Sequence, residues 1–161
     1  MHFGSNNSPL CPKTLPLLSA FLFFLTLNIS GCYSKATGPY FEPLPSIDGG
    51  KALIYFYQPH IRMGAHSPSS QIVYADGKAL GLLDDGGYFA YAAEPGRYSF
   101  SFKKTNDEAL VLNLEAGKTY FIRWHFRLVS GYKSFSYHPF LVTVAEPVAL
   151  TEIKHCRKIQ R

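Results

Sequence analysis

Cysteine is scarce in this sequence, and the residue spacings that mark metal and catalytic sites are missing. The 161 residues include three cysteines, none of them in the close C-x₂₋₄-C pair of a zinc site. His60 and His66 lie in one loop, but no second pair of metal ligands accompanies them. Neither an H-E-x-x-H nor a G-x-S-x-G segment occurs. We therefore predict no metal, no other cofactor and no catalytic residue.

The neighbouring carboxylates Asp84 and Asp85 lie in a Gly-rich stretch, residues 84–87. A carboxylate pair can perform acid–base chemistry, but adjacent Asp residues before two glycines are also typical of a turn. We interpret the pair as solvated turn residues. The stretch is not predicted to be a phosphate-binding loop either, because no helix follows it.

Charge is low, and its sign is mixed. The formal net charge is +5, and removal of residues 1–31 (argued below) takes away only the charge of Lys13 and leaves +4. These charges are spread along the chain and form no dense basic patch of the kind that binds nucleic acid. We expect no nucleic-acid partner, and anionic lipid headgroups or acidic glycans suit such a domain better.

An uncharged apolar segment occupies residues 15–29, after Lys13, and ends in Ile29-Ser30-Gly31-Cys32. It is short for a membrane span and contains Pro16, so it fits the core of a secretory signal better. Small residues before a cysteine resemble the lipobox of bacterial lipoproteins. The resemblance implies that residues 1–31 are a signal peptide, cleaved between Gly31 and Cys32, and that Cys32 is lipidated. The alternative is an uncleaved N-terminal anchor.

Lipidation would fix the protein in the bacterial cell envelope. Two or more acyl chains hold a protein stably at a membrane, whereas one chain does so only marginally. Tyr33, not Asp, follows the cysteine, and the sorting rule of enteric bacteria then implies the outer membrane, with the domain facing the periplasm. In such a mature chain Cys156 is the remaining thiol, so no intramolecular disulfide is expected. We interpret residues 32–50, rich in Pro and Gly, as a flexible tether.

Residues 51–154 read as a β domain. The unbroken apolar run at residues 51–57, between Gly50 and Pro59, predicts a central strand. Asp76-Gly77 predicts a tight hairpin turn between residues 71–75 and 78–83. Further strands are predicted at residues 88–92, 98–102, 110–115, 119–128 and 140–145.

Apolar and polar residues alternate most clearly in the predicted strand at residues 119–128. Ile122, Trp124, Phe126 and Leu128 share one face, which we expect to lie on the core. Residues 129–139 are predicted to be a long loop, residues 147–154 a short helix, and residues 155–161 a basic C-terminal tail. About seven or eight strands with regular turns indicate an all-β domain, an antiparallel β-sandwich or a partly closed barrel.

Five motifs occur in an order that resembles a known family. They are Ala52-Leu-Ile-Tyr-Phe-Tyr, Val73-Tyr-Ala-Asp-Gly-Lys-Ala-Leu-Gly, Gly87-Tyr-Phe, Glu94-Pro-Gly-Arg-Tyr and Leu114-Glu-Ala-Gly-Lys-Thr-Tyr-Phe-Ile-Arg. Together they resemble the domain-of-unknown-function family 2846, small bacterial lipoproteins and envelope proteins, over residues 50–154. The resemblance implies a β-sandwich, transthyretin-like in topology, and it supplies no activity and no catalytic residue.

The polar face of the strand at residues 119–128 carries Arg123, His125 and Arg127. One interpretation is a hydrated solvent face. The other is a cationic row for anionic lipid, lipopolysaccharide or another envelope protein, with the aromatic segment at residues 132–137 as additional contact surface.

These observations predict a lipid-anchored envelope protein whose single β-sandwich domain is a binding or structural module. One alternative is an accessory component of an envelope or secretion assembly that acts by strand augmentation. A less favoured alternative is an enzyme that acts on envelope material.

Overall fold

A computed structural model describes residues 36–45, 50–61, 70–105, 108–131 and 134–160. All of them belong to one compact unit, Ser34–Arg161. The predicted signal peptide, Cys32 and His66 lie outside the described residues. The described ranges contain one helix, α1 (Glu146–Ile153), and nine strands: β1 (Ala52–Tyr57), β2 (Gln71–Ala75), β3 (Lys78–Leu83), β4 (Gly87–Ala93), β5 (Gly96–Ser101), β6 (Leu110–Leu114), β7 (Thr119–Gly131), β8 (Ser134–Val144) and β9 (Arg157–Lys158).

The strands form two sheets, so the predicted all-β sandwich with a short C-terminal helix is confirmed. One sheet has the order β8-β7-β1-β4-β9, and the other has the order β3-β2-β5-β6. Two strand pairs differ from the predicted antiparallel arrangement, because β1 pairs with β7 in parallel and β4 pairs with β9 in parallel. Parallel neighbours need a long crossover connection. The connection from β1 to β7 contains all four strands of the second sheet, β2, β3, β5 and β6.

Strand β1 is buried on both faces, which explains its unbroken apolar sequence. Ala52, Ile54 and Phe56 belong to the core between the two sheets, together with Trp124 and Phe100. The predicted burial of Trp124 is therefore confirmed. The odd-numbered side chains Leu53, Tyr55 and Tyr57 lie on the other face of the sheet, in a second cluster that includes Ala149 and Ile153 of α1.

The outer face of β1 and β4 is also covered by residues 36–45, which we call the N-terminal strap. The ring of Phe41 packs edge-on against Tyr55 and Tyr88, with centroid distances of 5.0 and 5.2 Å. The Leu44 amide donates to the Tyr55 hydroxyl at 2.7 Å. The prediction of a flexible tether at residues 32–50 is thus wrong for the strap, because apolar rings on β1 and β4 would otherwise face water.

The predicted C-terminal tail is likewise part of the fold. Arg157 and Lys158 form β9 beside Gly87 and Tyr88, and the Gly38 amide donates to the Lys158 carbonyl at 3.1 Å. A Cβ atom at Gly38 would lie 2.2 Å from that carbonyl oxygen, so the strap can approach β9 this closely only with glycine there.

The two turn and loop predictions have opposite outcomes. The Asp76-Gly77 hairpin is confirmed, with φ values of 48° and 76° at the two residues, as a type I′ turn requires. The long loop predicted at residues 129–139 is wrong, because β7 and β8 stay paired as far as Gly131 and Ser134. Pro139 is tolerated in β8 because this strand lies at the edge of its sheet.

Candidate functional site

The structure separates the three residues of the predicted cationic row. Arg123 is not free, since its Nη1 atom lies 2.6 Å from Glu152 Oε1 on α1. The two side chains are only 28% and 25% exposed. The other Glu152 oxygen accepts a hydrogen bond from the Tyr57 hydroxyl at 2.6 Å. Burial and this bond to Glu152 raise the pKa of Tyr57 well above its usual value. Arg123 thus helps to hold α1 on the sheet.

His125 and Arg127 remain at the surface, near Phe140. The ring of His125 packs edge-on against Phe140 at 5.2 Å, and the Arg127 guanidinium lies 5.9 Å from the same ring centroid. Arg127 also has Glu108 at 3.4 Å. The row therefore has two exposed side chains, His125 and Arg127, rather than three. The guanidinium of Arg127 also lies beside the Glu108 carboxylate.

His60 and Asp85 form a contact that was not predicted from the sequence. His60 Nδ1 lies 2.5 Å from Asp85 Oδ2, and the Ile61 amide donates to Asp85 Oδ1 at 3.3 Å. The interpretation of Asp84 and Asp85 as solvated is wrong, because both are buried. A buried carboxylate that orients an imidazole also occurs at catalytic and metal sites. Among the described residues, however, no group of three metal-ligating side chains comes together.

Cys156 is buried beside β1 and does not have the surroundings of a reactive thiol. Its Sγ atom lies 3.6 Å from the Gln58 carbonyl oxygen. Burial, with smaller contributions from the charges of Glu152 and Asp85, raises the pKa of Cys156 to about 12. Because the thiolate is the nucleophile, such a thiol is inert at neutral pH.

A groove with a volume of about 420 Å³ runs beside β4. This volume lies in the range of about 300–1,000 Å³ that is usual for ligand sites. We call it the β4 groove. Its residues come from five segments and are Glu42 and Leu44 of the strap, Tyr55 of β1, Leu80, Gly81 and Leu82 of β3, Tyr88, Phe89 and Ala90 of β4, and Lys158 with Ile159 at and after β9.

The edge of β4 that faces away from β1 borders this groove at Tyr88, Phe89 and Ala90. Strand β9 pairs only with Gly87 and Tyr88. Within the described part of the chain, no strand pairs with the rest of that edge, from Phe89 to Ala93. An unpaired strand edge presents main-chain donors and acceptors to whatever lies beside it.

A β-bulge shapes the opposite wall. Val73 is paired with Gly81 but Tyr74 is paired with Ala79, so Leu80 is the extra residue of β3. Bulges redirect a side chain and bend the strand. Gly81 contributes no side chain to the same wall, and a Cβ atom there would lie 3.5 Å from the Phe89 ring.

Sequence reasoning placed β3 and β4 correctly but did not find the groove. The available signal was the run Ala90-Tyr-Ala-Ala93, because alanine is depleted in strands and leaves space beside the main chain. The strap and β9 gave no signal, since neither has a strand pattern long enough to recognise.

Comparison with known proteins identifies a family. The sequence model of the family described as "Protein of unknown function (DUF2846)" matches residues 48–138. The chain belongs to this family. The resemblance seen in the five motifs is thereby confirmed, and the matched region contains β3 and β4 of the groove but neither the strap nor β9.

No curated protein and no solved structure matches the chain significantly. Within the described residues, no helix is long and apolar enough to cross a membrane. The lipidation of Cys32 and the envelope location remain predictions.

Proposed function

We propose that this protein is a lipid-anchored binding module of the bacterial envelope and that the β4 groove is its binding site. The groove is the observation that supports this proposal best. It combines a strand edge that has no strand partner among the described residues with a lining that is partly apolar, from Leu80, Leu82 and Ile159, and partly charged, from Glu42 and Lys158. Ligand sites typically have this combination of an apolar wall and a few polar groups.

The anchor is the second part of the proposal. Cleavage between Gly31 and Cys32 would leave lipidated Cys32 as the first residue, in the outer membrane on the periplasmic side. Three residues separate Cys32 from Ala36 of the strap, and the extended chain spans at most about 3.6 Å per residue. The anchor would therefore hold the domain within roughly 14 Å of the lipidated residue, closer than a free tether over residues 32–50 would.

The exposed pair His125 and Arg127 supports lipid binding less well than the row predicted from sequence. Arg123 is paired with Glu152, and Arg127 lies near Glu108. We therefore propose another envelope protein as the partner, with anionic lipid or lipopolysaccharide as the alternative.

The anchor and the groove are tested separately in the same cells. Cys32→Ala should abolish incorporation of an acyl-chain probe and leave an unprocessed precursor. Equal labelling of wild type and variant would refute the anchor. For the groove, a photo-crosslinking amino acid is placed at Leu82 and, as a matched control, at Val111 on β6, which is 48% exposed.

Irradiation of cells should give a discrete adduct from the Leu82 position and none from the Val111 position. Adducts at both positions would indicate non-specific collisions. If neither Leu82 nor Leu80 gives an adduct in protein that is correctly lipidated, the groove is not the binding site.

A further inference from the structure

We infer that the β4 groove binds an extended polypeptide segment, which adds to the sheet as a strand beside Phe89–Ala93. This inference rests on the proposed function, because it names the class of ligand for the same groove. It depends on three observations: the direction of the free main-chain groups of β4, the position of β9, and the two walls.

The hydrogen-bond phase of β4 is fixed by its pairing with β1. The Gln58 amide donates to the Gly87 carbonyl at 2.9 Å, so this pair bonds across the two strands. In an antiparallel ladder every second pair does so, and Phe89, Tyr91 and Ala93 therefore point their main-chain groups toward β1. The main-chain groups of Tyr88, Ala90 and Ala92 point the other way.

Strand β9 already uses the first of these outward groups. The Arg157 amide donates to the Gly86 carbonyl at 2.8 Å, and the Ile159 amide donates to the Tyr88 carbonyl at 3.0 Å. Ala90 and Ala92 lie beyond the two residues that β9 covers. The edge thus accepts a parallel strand in its first half, and its second half has the same geometry with no strand partner among the described residues.

The two walls of the groove predict which side chains the bound segment carries. An added strand would project alternate side chains to opposite faces. One set would face Leu80, Leu82 and Phe89, and the other would face the strap and Tyr55. A segment with apolar residues at every second position is therefore the expected ligand. The stretch of β4 beyond β9, for which the described part of the chain provides no strand partner, has five residues, or about 17 Å of extended chain.

The other long edge of the same sheet is less suitable. Strand β8 carries Pro139 in its paired region, and proline has no amide hydrogen to donate to a further strand. Natural edge strands are commonly protected from pairing in this way. The part of the β4 edge beyond β9, Phe89–Ala93, contains no proline.

The test uses the full-length lipidated protein in detergent micelles and an array of capped octapeptides with Val, Ile, Leu or Phe at every second position. A bound octapeptide is then made in two forms, each N-methylated at alternate residues. An added strand bonds through one edge only, so one form should lose at least about tenfold in affinity, while the other should change by less than about threefold.

A protein variant tests the same bonds from the other side. Ala92→Pro removes an outward N–H that β1 does not use, and Ala92→Thr is the matched control that keeps this N–H. The proline variant should lose at least about tenfold in octapeptide affinity, and the threonine variant should lose less than about threefold. If Ala92→Pro does not fold, the N-methylated peptides still decide the question.

Two results would overturn the inference while leaving the proposed function intact. One is a bound octapeptide that tolerates both N-methylation patterns, which would mean recognition by side chains alone. The other is a Leu82 adduct in cells without binding of any octapeptide, which would indicate that the partner protein contacts the groove through a surface that is not an extended segment. Absence of both the adduct and octapeptide binding would overturn the inference and the proposed function together.

Discussion

Arg123 of β7 and Glu152 of α1 are joined by a charged hydrogen bond of 2.6 Å between Nη1 and Oε1. Alternation along β7 correctly places Arg123 on the face opposite Trp124. In this fold, however, that face is covered by α1 along part of the strand and meets water only farther along. Arg123 lies in the covered part, whereas His125 and Arg127 lie beyond it.

Replacement of the two arginines should therefore have unequal effects. Arg123→Gln should lower the free energy of unfolding by about 1–3 kcal/mol, because a partly buried carboxylate loses a charged partner. Arg127→Gln should change it by less than about 0.5 kcal/mol, as is usual at an exposed position. Urea titration of both variants measures the difference. Equal, small effects would show that the bond to Glu152 contributes nothing to the free energy of unfolding and that Arg123 belongs to a hydrated solvent face, as Arg127 does.

Two positions on the same face of β7 test where the core ends. Trp124 is 3% exposed and Leu128 is 55% exposed. Trp124→Ala should cost about 3–5 kcal/mol, the usual range for removal of a large aromatic side chain from a packed core. Leu128→Ala should cost less than about 0.5 kcal/mol. Fluorescence of the only tryptophan should resist acrylamide quenching in the folded protein, and ready quenching would contradict the placement of Trp124.

The thiol of Cys156 should make the protein less stable in alkali. Its pKa rises from the usual 9.0 to about 12 on folding, so above pH 9 the unfolded chain releases this proton while the folded chain keeps it. The stabilisation is complete below pH 9 and should be lost as the pH rises toward 12. Thermal unfolding at successive pH values should show this decline, and Cys156→Ala should make it shallower. The decline that remains above pH 10 belongs to Tyr57, whose pKa is also raised on folding.

The same burial predicts slow thiol chemistry. In the native protein at pH 8, Cys156 should react with iodoacetamide only after denaturant is added. Rapid alkylation of the native protein, or the same alkaline decline in Cys156→Ala, would contradict the assignment of the shift to this residue.

The strap should contribute measurably to stability. Phe41→Ala removes two aromatic contacts with Tyr55 and Tyr88 and should lower the free energy of unfolding by about 1–3 kcal/mol. Val148→Ala on α1, at a half-exposed site, is the control and should be nearly neutral. A neutral Phe41→Ala would restore the view of these residues as a free tether.

The sequence by itself determined the local features of this protein. Period-two alternation identified the core face of β7, the unbroken apolar run identified β1 as a central strand, and Asp76-Gly77 placed a turn. These features follow from the short-range geometry of strands and turns. The order of the five motifs also identified the family.

Only the tertiary structure decided what covers each face and which edge stays open. The strap and α1 cover the outer face of the sheet that contains β1 and β4, and β9 extends its edge beside β4. These segments come from opposite ends of the chain, and their contacts, such as that of Gly38 with Lys158, have no local pattern. The β4 groove exists because β9 stops after two residues while β4 continues. Such a difference in length between neighbouring strands depends on long-range pairing, and local propensity and alternation do not encode it.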